Sequence, residues 1–499
     1  MDVFANLALG FSAAATPSNL LFCLVGCLLG TLIGVLPGIG PIATIAMLLP
    51  VTYGLDPLAA LIMLAGIYYG AQYGGSTTAI LVNLPGETSS VITCIEGYKM
   101  ARNGRAGAAL TVAALGSFFA GCVGTVIIAM FAPVLAGFAV QFRSPEYFSL
   151  MIFGLVAAIV LANGSVMKAV AMVVLGLLFG LVGTDTQSGV TRFTFGVTEL
   201  YDGIDFVPLA MGLFGIAELM SNLDRRFEDR SQTQKVGSLW PTRRETLLAV
   251  PAVLRGTALG SLLGILPGGG AVLASFSSYT LEKKISRSRD QFGNGAIEGV
   301  AGPESANNAG AQTSFIPLLT LGIPSTPVMA IMVGAMMIQG IAPGTALITE
   351  RPQLFWGMIA SMWIGNAMLV IINLPLVGMW VKLLKVPYRL MFPAILIFCS
   401  IGIYSINNSI HDVYFTAFFA LAGYAMIKLG YEPAPMLLGF VLGKLMEEKL
   451  RQALILSRGN FMTFVERPVS ATLLAVAAVM LIIALLPAMS KKREQAFQE

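Results

Sequence analysis

Long apolar runs, following one another from residue 18 to residue 488, constrain this chain more than any other feature. They cover 18–36, 57–82, 106–141, 147–162, 166–183, 204–220, 247–266, 315–341, 354–381, 390–404, 413–429 and 470–488. A span needs about 20 apolar residues, so the runs predict about 10–14 transmembrane or re-entrant helices. Only 11% of the 499 residues are charged, against about 25% in soluble domains, and a soluble fold is excluded. Short alternating strands are absent, so helices rather than a barrel must satisfy the backbone in lipid. The predicted fold class is an all-α polytopic membrane protein.

Two runs are interrupted by the same phrase, "GVLPGIGP" at 34–41 and "GILPGGG" at 264–270. Proline removes a backbone donor and glycine tolerates unusual conformations, and in a bilayer such breaks are sustainable only against protein or a water-filled cavity. A second pair of phrases follows in the same order: "GAQYGGSTTAILVNLPGETSS" at 70–90 and "GAQTSFIPLLTLGIPSTP" at 310–327, reaching Pro85 and Pro324. The repetition predicts two membrane repeats, 18–221 and 247–469, each with a broken helix and a proline-tipped hairpin. An interfacial segment (1–17, helical over 3–14), a basic linker (222–246) and a C-terminal transmembrane helix with a basic tail (470–499) complete the chain. The first residues lack a basic n-region, so no cleaved signal peptide is expected.

Basic residues mark cytoplasmic loops. In the first half the connection between the phrases, "TYGLDP", has none, while "EGYKMARNGR" after the second phrase carries Lys99, Arg102 and Arg105. In the second half the connection "LEKKISRSRD" is basic and "APGTALITERP" has one Arg beside a Glu. Equivalent loops therefore fall on opposite faces and the repeats are inverted, as in many secondary transporters. The same rule places the linker, "LMEEKLRQALILSRGN" and the tail "KKREQ" in the cytoplasm.

Helix N-termini at such breaks attract anions and unwound carbonyls hold cations. The candidate substrate- and cation-binding residues are Gly38 and Gly40 in the first break and Ser76, Thr77, Thr78, Asn83, Pro85, Gly86 and Thr88 in the first hairpin. In the second hairpin they are Asn307, Asn308, Gln312, Thr313, Ser314, Gly322, Pro324, Ser325 and Thr326. Hydroxyls, amides and free carbonyls are hard oxygen ligands, and Gly38, Thr78, Asn83, Gly268 and Thr326 are candidate sodium ligands. No Lys or Arg lies within 70–90 or 305–327, and Glu87 and Glu304 flank the phrases. An intramembrane acid is a functional candidate by default; Glu218, close to the linker, reads as interfacial. Sodium is favoured over protons as the coupling ion. The five cysteines have no metal-ligand spacing and read as packing residues. His411 is the single histidine; beside Asp412 it lacks a nucleophile in a suitable turn, and the expectation is a non-enzyme.

Together "GVLPGIGP", "YYGAQYGGSTTAILVNLPGE", "GRAGAAL", "GVAGPESANNAGAQTSFIPLLTLGIPSTP", "NLPLVGMWVKLL" and "GYEPAPMLLGFVLGKLMEEKLRQAL" resemble the large membrane subunit, of TctA type, of the tripartite tricarboxylate transporter family. The resemblance implies a multi-pass permease of the bacterial inner membrane that works with a small membrane subunit (TctB type) and a periplasmic solute-binding protein (TctC type). Its implied activity is uptake of citrate-like tricarboxylates or related organic acids by cation symport with alternating access, with no cofactor beyond the coupling ion. Proton-coupled uptake of another organic acid, a passive channel and a structural membrane subunit are the alternatives. Lys444 departs from the uncharged residue or proline more usual in the family at that position.

Overall fold

The computed structural model describes residues 3–36, 39–139, 141–162, 165–185, 187–224, 236–266, 270–286, 288–383 and 388–486. It is all-α, and among the described residues seven helical stretches are long and apolar enough to cross a membrane.

In the first half α1 (Val3–Ala14) and α2 (Pro17–Gly34) precede the break, and α3 (Pro41–Leu48) and α4 (Pro57–Val82) follow it. α2 has Thr16 as its N-cap and a proline in its first turn, both standard starters. Its Gly26, Gly30 and Gly34, one turn apart, share a face, and a Cβ on any of them would run into the carbonyl oxygens of Met63, Ile67 and Ala71 on α4. Small residues at this spacing let two membrane helices approach backbone to backbone. Next come α5 (Val91–Met100), α6 (Ala106–Ala139), α7 (Ser144–Leu161) and α8 (Val166–Gly180). A two-stranded hairpin pairs Gly183–Thr184 with Thr191–Arg192, and α9 (Phe206–Ala210) and α10 (Ala217–Asp224) run on to the linker.

The second half repeats the packing. α11 (Arg243–Gly264) carries Gly256, Gly260 and Gly264, which face the carbonyls of Gly302, Ala306 and Gly310 on α13 (Glu298–Thr313). Between them α12 (Gly270–Ile285) folds back along α11, joined by a bidentate Arg255–Glu282 pair at 2.8 and 2.6 Å. α14 (Phe315–Leu321), α15 (Pro327–Ile338), α16 (Thr345–Glu350), α17 (Pro352–Asn373), α18 (Val377–Leu383), α19 (Tyr388–Asn407), α20 (Ile410–Lys428), α21 (Pro433–Leu456), α22 (Thr463–Glu466) and α23 (Pro468–Leu485) follow. The helix expected over 3–14 is α1, lying on α17 with Gly10 against the Trp356 backbone and Phe11 stacked on Trp363.

Contacts between the halves establish the inversion. The end of α5 meets the loop before α13: Asn103 Nδ2 donates to the Asn294 carbonyl at 3.3 Å. Buried Glu96 there accepts from the backbone N–H groups of Gly293 (2.5 Å), Gly295 (2.8 Å) and Ala296 (2.9 Å) and from Tyr279 Oη (2.8 Å). The end of α15 meets the loop before α4, where Gln339 Nε2 donates to the Thr52 carbonyl at 2.8 Å. Each repeat's exit is thus tied to the other repeat's inter-phrase loop. Since α4 and α13–α14 separate loop from exit within each repeat, the two loops lie at opposite ends of the molecule. The Glu96 end is the basic face, shared with the linker through the Arg105–Glu245 ion pair.

One expectation about the faces fails. Arg451 pairs with Asp185 at 2.9 Å and Arg192 with Glu447 at 2.8 Å, so the segment "LMEEKLRQALILSRGN" sits with the 181–205 loop. The single passage through α9 and α10 separates that loop from the linker. The segment therefore lies on the face opposite the linker: Lys449 and Arg451 are paired with Glu448, Glu447 and Asp185, which offsets much of the positive charge on which the topology rule depends. The tail "KKREQ" lies outside the described residues.

Candidate functional site

Neither proline tips a helical hairpin. In the first half α4 ends at Asn83, which adopts φ 57 and ψ 31, a left-handed conformation that asparagine tolerates. The chain then runs back, and Gly86 lies directly on Gly75, where a side chain would collide with the Gly75 Cα. From there α5 proceeds beside α4 in the same direction, with Gly97 against Ile80. Pro85 belongs to this extended return, where a missing N–H breaks no helical bond. In the second half the turn is Gly322 (φ 72, ψ 19), and after Pro324 the Ser325 hydroxyl donates to the Ser314 carbonyl at 3.3 Å. Gly75, Asn83 and Gly86 thus correspond to Ser314, Gly322 and Ser325, one residue out of step with the Gly-Ala-Gln phrases at 70–72 and 310–312.

Each break faces its own return segment. Gly40, the N-cap of α3, lies 3.7 Å from the Gly86 carbonyl and 3.8 Å from Glu87 Cβ, measured from the place of a Cβ. Gly270 (φ 42), the first residue of α12, faces the side chain of Thr326, which caps α15 by accepting from Met329 N–H at 3.2 Å. Helix N-termini therefore converge at both places. Gly38 and Gly268 lie outside the described residues.

The polar residues of the two phrases divide into separate groups. Thr78 is committed to backbone, its hydroxyl within 2.8 Å of the Val35 carbonyl and 3.1 Å of that of Gly74, which fastens α4 to the first break. Thr77 bonds to the Tyr73 carbonyl at 3.1 Å, Thr313 to Ala309 at 3.0 Å and Ser314 to Ala311 at 2.6 Å. Gln312 reaches away to Thr125 on α6 at 2.7 Å. Asn83 and Thr88 present exposed side chains. Asn307 donates to Glu87 Oε1 at 3.0 Å, and Ser89 donates to the same oxygen at 2.5 Å; Ser275 of α12 donates to the Ser89 carbonyl at 3.0 Å. This group joins the first return segment to the second repeat.

Beside it lies a cluster around Glu304, which is 1% exposed. Its carboxylate accepts from Ser76 Oγ at 2.7 Å and from Thr93 Oγ1. Asn308 Nδ2 donates to Ser117 Oγ at 2.7 Å and to the Glu304 carbonyl at 3.1 Å. Glu304 is therefore not a flanking residue but the meeting point of α4, α5, α6 and α13. Sequence reading misses Thr93, just beyond the first phrase, and Ser117 and Thr125, hydroxyls scattered within the apolar run 106–141. Gln72, seen only as part of the Gly-Ala-Gln phrase, is fully buried with both amide atoms unpaired. His411 lies far along the chain from these groups and meets Glu199 at 3.5 Å; Glu218 is half-buried on α10.

Inverted repeats, helix breaks backed by unwound segments and polar residues gathered where the breaks meet define a multi-pass helical membrane protein built like a secondary transporter. The comparisons make the class specific. The model of the tripartite tricarboxylate transporter TctA family matches residues 20–438, and the chain belongs to that family. A similar protein of Agrobacterium vitis, described as an uncharacterized 52.8 kDa protein in the TAR-I ttuC' 3'region, is 59% identical over 499 residues, covering 100% of this chain and 99% of its own. A second from the same organism, described as an uncharacterized protein in the TAR-II ttuC' 3'region, is 63% identical over 240 residues, 48% of this chain and 99% of its own. No solved structure matches. The chain is thus a transporter component, one part of a system with further components.

Proposed function

We propose that the chain is the permease subunit of a binding-protein-dependent system that takes up tricarboxylates of the citrate type, or related organic carboxylates, by sodium symport with alternating access. The observation that carries this reading is the convergence of helix N-termini at each break: α3 against the first return segment, α12 against the N-cap of α15. Free N–H groups at helix starts favour anions without a buried cation. Gly40, Gly86, Ser325 and Thr326 form the carboxylate-binding surface, and the break and return segments, with Gly38, Thr78, Asn83 and Gly268 among them, supply carbonyl and hydroxyl oxygens for coupling sodium. An anion of two or three charges cannot enter a low-dielectric core uncompensated, and co-bound sodium lowers that cost.

The basic face is cytoplasmic in this reading, and the protein sits in the bacterial inner membrane with the 181–205 loop and the 445–460 segment on the periplasmic side. There a TctC-type binding protein delivers substrate, and a TctB-type subunit completes the membrane assembly. Alternating access follows from the cross-ties: the Glu96 tether holds one face and the Gln339 tether the other. The test is reconstitution of this chain with both partners in liposomes and measurement of labelled citrate uptake under a sodium gradient, a proton gradient or neither. Saturable uptake that needs binding protein and sodium is expected. Uptake driven by protons alone overturns the coupling ion, and unsaturable flux without binding protein overturns the symporter class.

A further inference from the structure

We infer that the cavity beside Glu304 is a binding site for one sodium-sized monovalent cation, formed where the two repeats meet and separate from the breaks. The cavity has a volume of about 20 Å³, room for one water-sized occupant. Tyr73, Ser76, Thr77, Ser117, Glu304 and Asn373 supply its polar lining. Three independent features point to a cation. The first is charge. Glu304 is buried, and among the described residues no Lys, Arg or His lies within 4.0 Å of it. Both carboxylate oxygens accept from hydroxyls, Ser76 and Thr93, an arrangement suited to the ionised acid, which only accepts. A buried charge is sustained by a partner, and here the chain supplies none.

The second feature is an orphaned acceptor. Asn373 of α17 is 6% exposed; its amide nitrogen donates to the Leu369 carbonyl at 2.9 Å, and its Oδ1 has no partner. A neutral amide oxygen without a hydrogen-bond partner at the wall of a water-sized cavity is an acceptor suited to a cation. The third is donor chemistry. Carboxylate, hydroxyl and amide oxygens without nitrogen or sulfur suit a hard cation. Among the described residues no group of three or more His, Cys, Asp or Glu could hold a metal, so the charge balance favours a single positive charge over a divalent ion. Ser76 and Tyr73 come from the first repeat and Glu304 and Asn373 from the second, so an occupant bridges the halves.

The inference rests on the reading of the chain as a cation-coupled permease, and its test avoids transport altogether. The melting temperature of the purified protein in detergent is followed against sodium chloride, with potassium chloride at matched ionic strength as control and citrate absent. A ligand that binds only the folded state raises the melting temperature with concentration. A saturable rise specific to sodium is expected, whose component from this cavity is absent in Glu304→Gln, leaving only the rise that the break and return segments give, and is shifted at least tenfold to higher sodium in Asn373→Ala and Ser117→Ala. If Glu304→Gln does not fold, the Asn373 and Ser117 variants carry the test. An unaltered sodium response in them, or a response that potassium reproduces, overturns the site. A stabilisation set by pH rather than sodium, and abolished by Glu304→Gln, overturns it in favour of a bound proton. Each of these failures leaves citrate uptake, measured separately, untouched.

Discussion

The two return segments share a backbone and differ in chemistry. In both, a left-handed residue ends the long helix, Asn83 or Gly322, and the chain doubles back over Gly75 or Ser314. Where the second presents Thr326, a neutral cap, the first presents Glu87, held by Asn307 and Ser89. The long helices diverge in the same way: α4 carries Tyr68, Tyr69 and Tyr73, where α13 carries Asn307, Asn308 and Gln312. Duplication preserved the close helix packing and the breaks because both depend on backbone, and side chains at equivalent places were free to take separate tasks. Glu87 and Glu304 have neutral residues at the equivalent places, Thr326 and Ala65, so the cation pocket proposed beside Glu304 has no symmetric twin.

Substitutions at equivalent places test how far the halves have diverged. The largest contrast is expected between the tethers on the two faces. Glu96→Ala orphans three backbone donors, of which the Ala296 N–H is buried, and a half-buried tyrosine hydroxyl, at about 1–3 kcal/mol for the buried group left unpaired and less for the others. Gln339→Ala removes one hydrogen bond, about 1 kcal/mol. Chemical denaturation in detergent micelles measures the difference, and equal losses would show that the faces are held alike. Gly30→Val and Gly260→Val, by contrast, should cost similar amounts, at least the ~1–3 kcal/mol of an overpacked core, because each new side chain meets a facing backbone carbonyl. A harmless change in either half would mean that its helix pair is not closely packed in the membrane.

At the second return segment Thr326→Ala removes the cap of α15, at about 0.5–2 kcal/mol, whereas Thr88→Ala at the first, with its side chain exposed, should leave stability within ~0.5 kcal/mol. Melting temperatures of the two variants test this directly. The smallest effect concerns the 181–205 loop. The Gln187 backbone N–H, followed by the Arg451 side chain, holds the Asp185 carboxyl well below the usual carboxylate range. A lowered folded-state value means that the attachment is complete above the ordinary carboxylate pKa and is lost as pH falls through the lowered one. Proteolysis within 186–199 should therefore rise only in strong acid, and Asp185→Asn should give that sensitivity at neutral pH.

How much of this was legible in the sequence depends on whether a feature is local. The breaks and reversals announce themselves because glycine and proline stand where an apolar helix should continue, and inversion was readable in the loop charges. Register was misread by one residue, since matching letters in the Gly-Ala-Gln phrases outweighed the packing glycines that set the true correspondence. The prolines were assigned to hairpin tips, which Asn83 and Gly322 form instead because only left-handed backbone makes that turn. Thr93, Ser117 and Asn373 could not be found: Ser117 and Asn373 sit in apolar stretches and Thr93 just beyond the first phrase, and the meaning of each comes from what surrounds it on other helices. Glu96 was hidden for the same reason, its partners lying in the opposite repeat.

The account's central claim is that the two return segments border one path opened in turn to each face. Single cysteines at Thr88 and Thr326, in a background with Cys94 and Cys122 replaced by serine, can be labelled from either side of sealed vesicles holding the assembled transporter, with and without citrate. The account predicts that both positions react from both sides, at rates that citrate and sodium shift in opposite directions for the two faces. Labelling from one side only, unchanged by citrate and sodium, would contradict it.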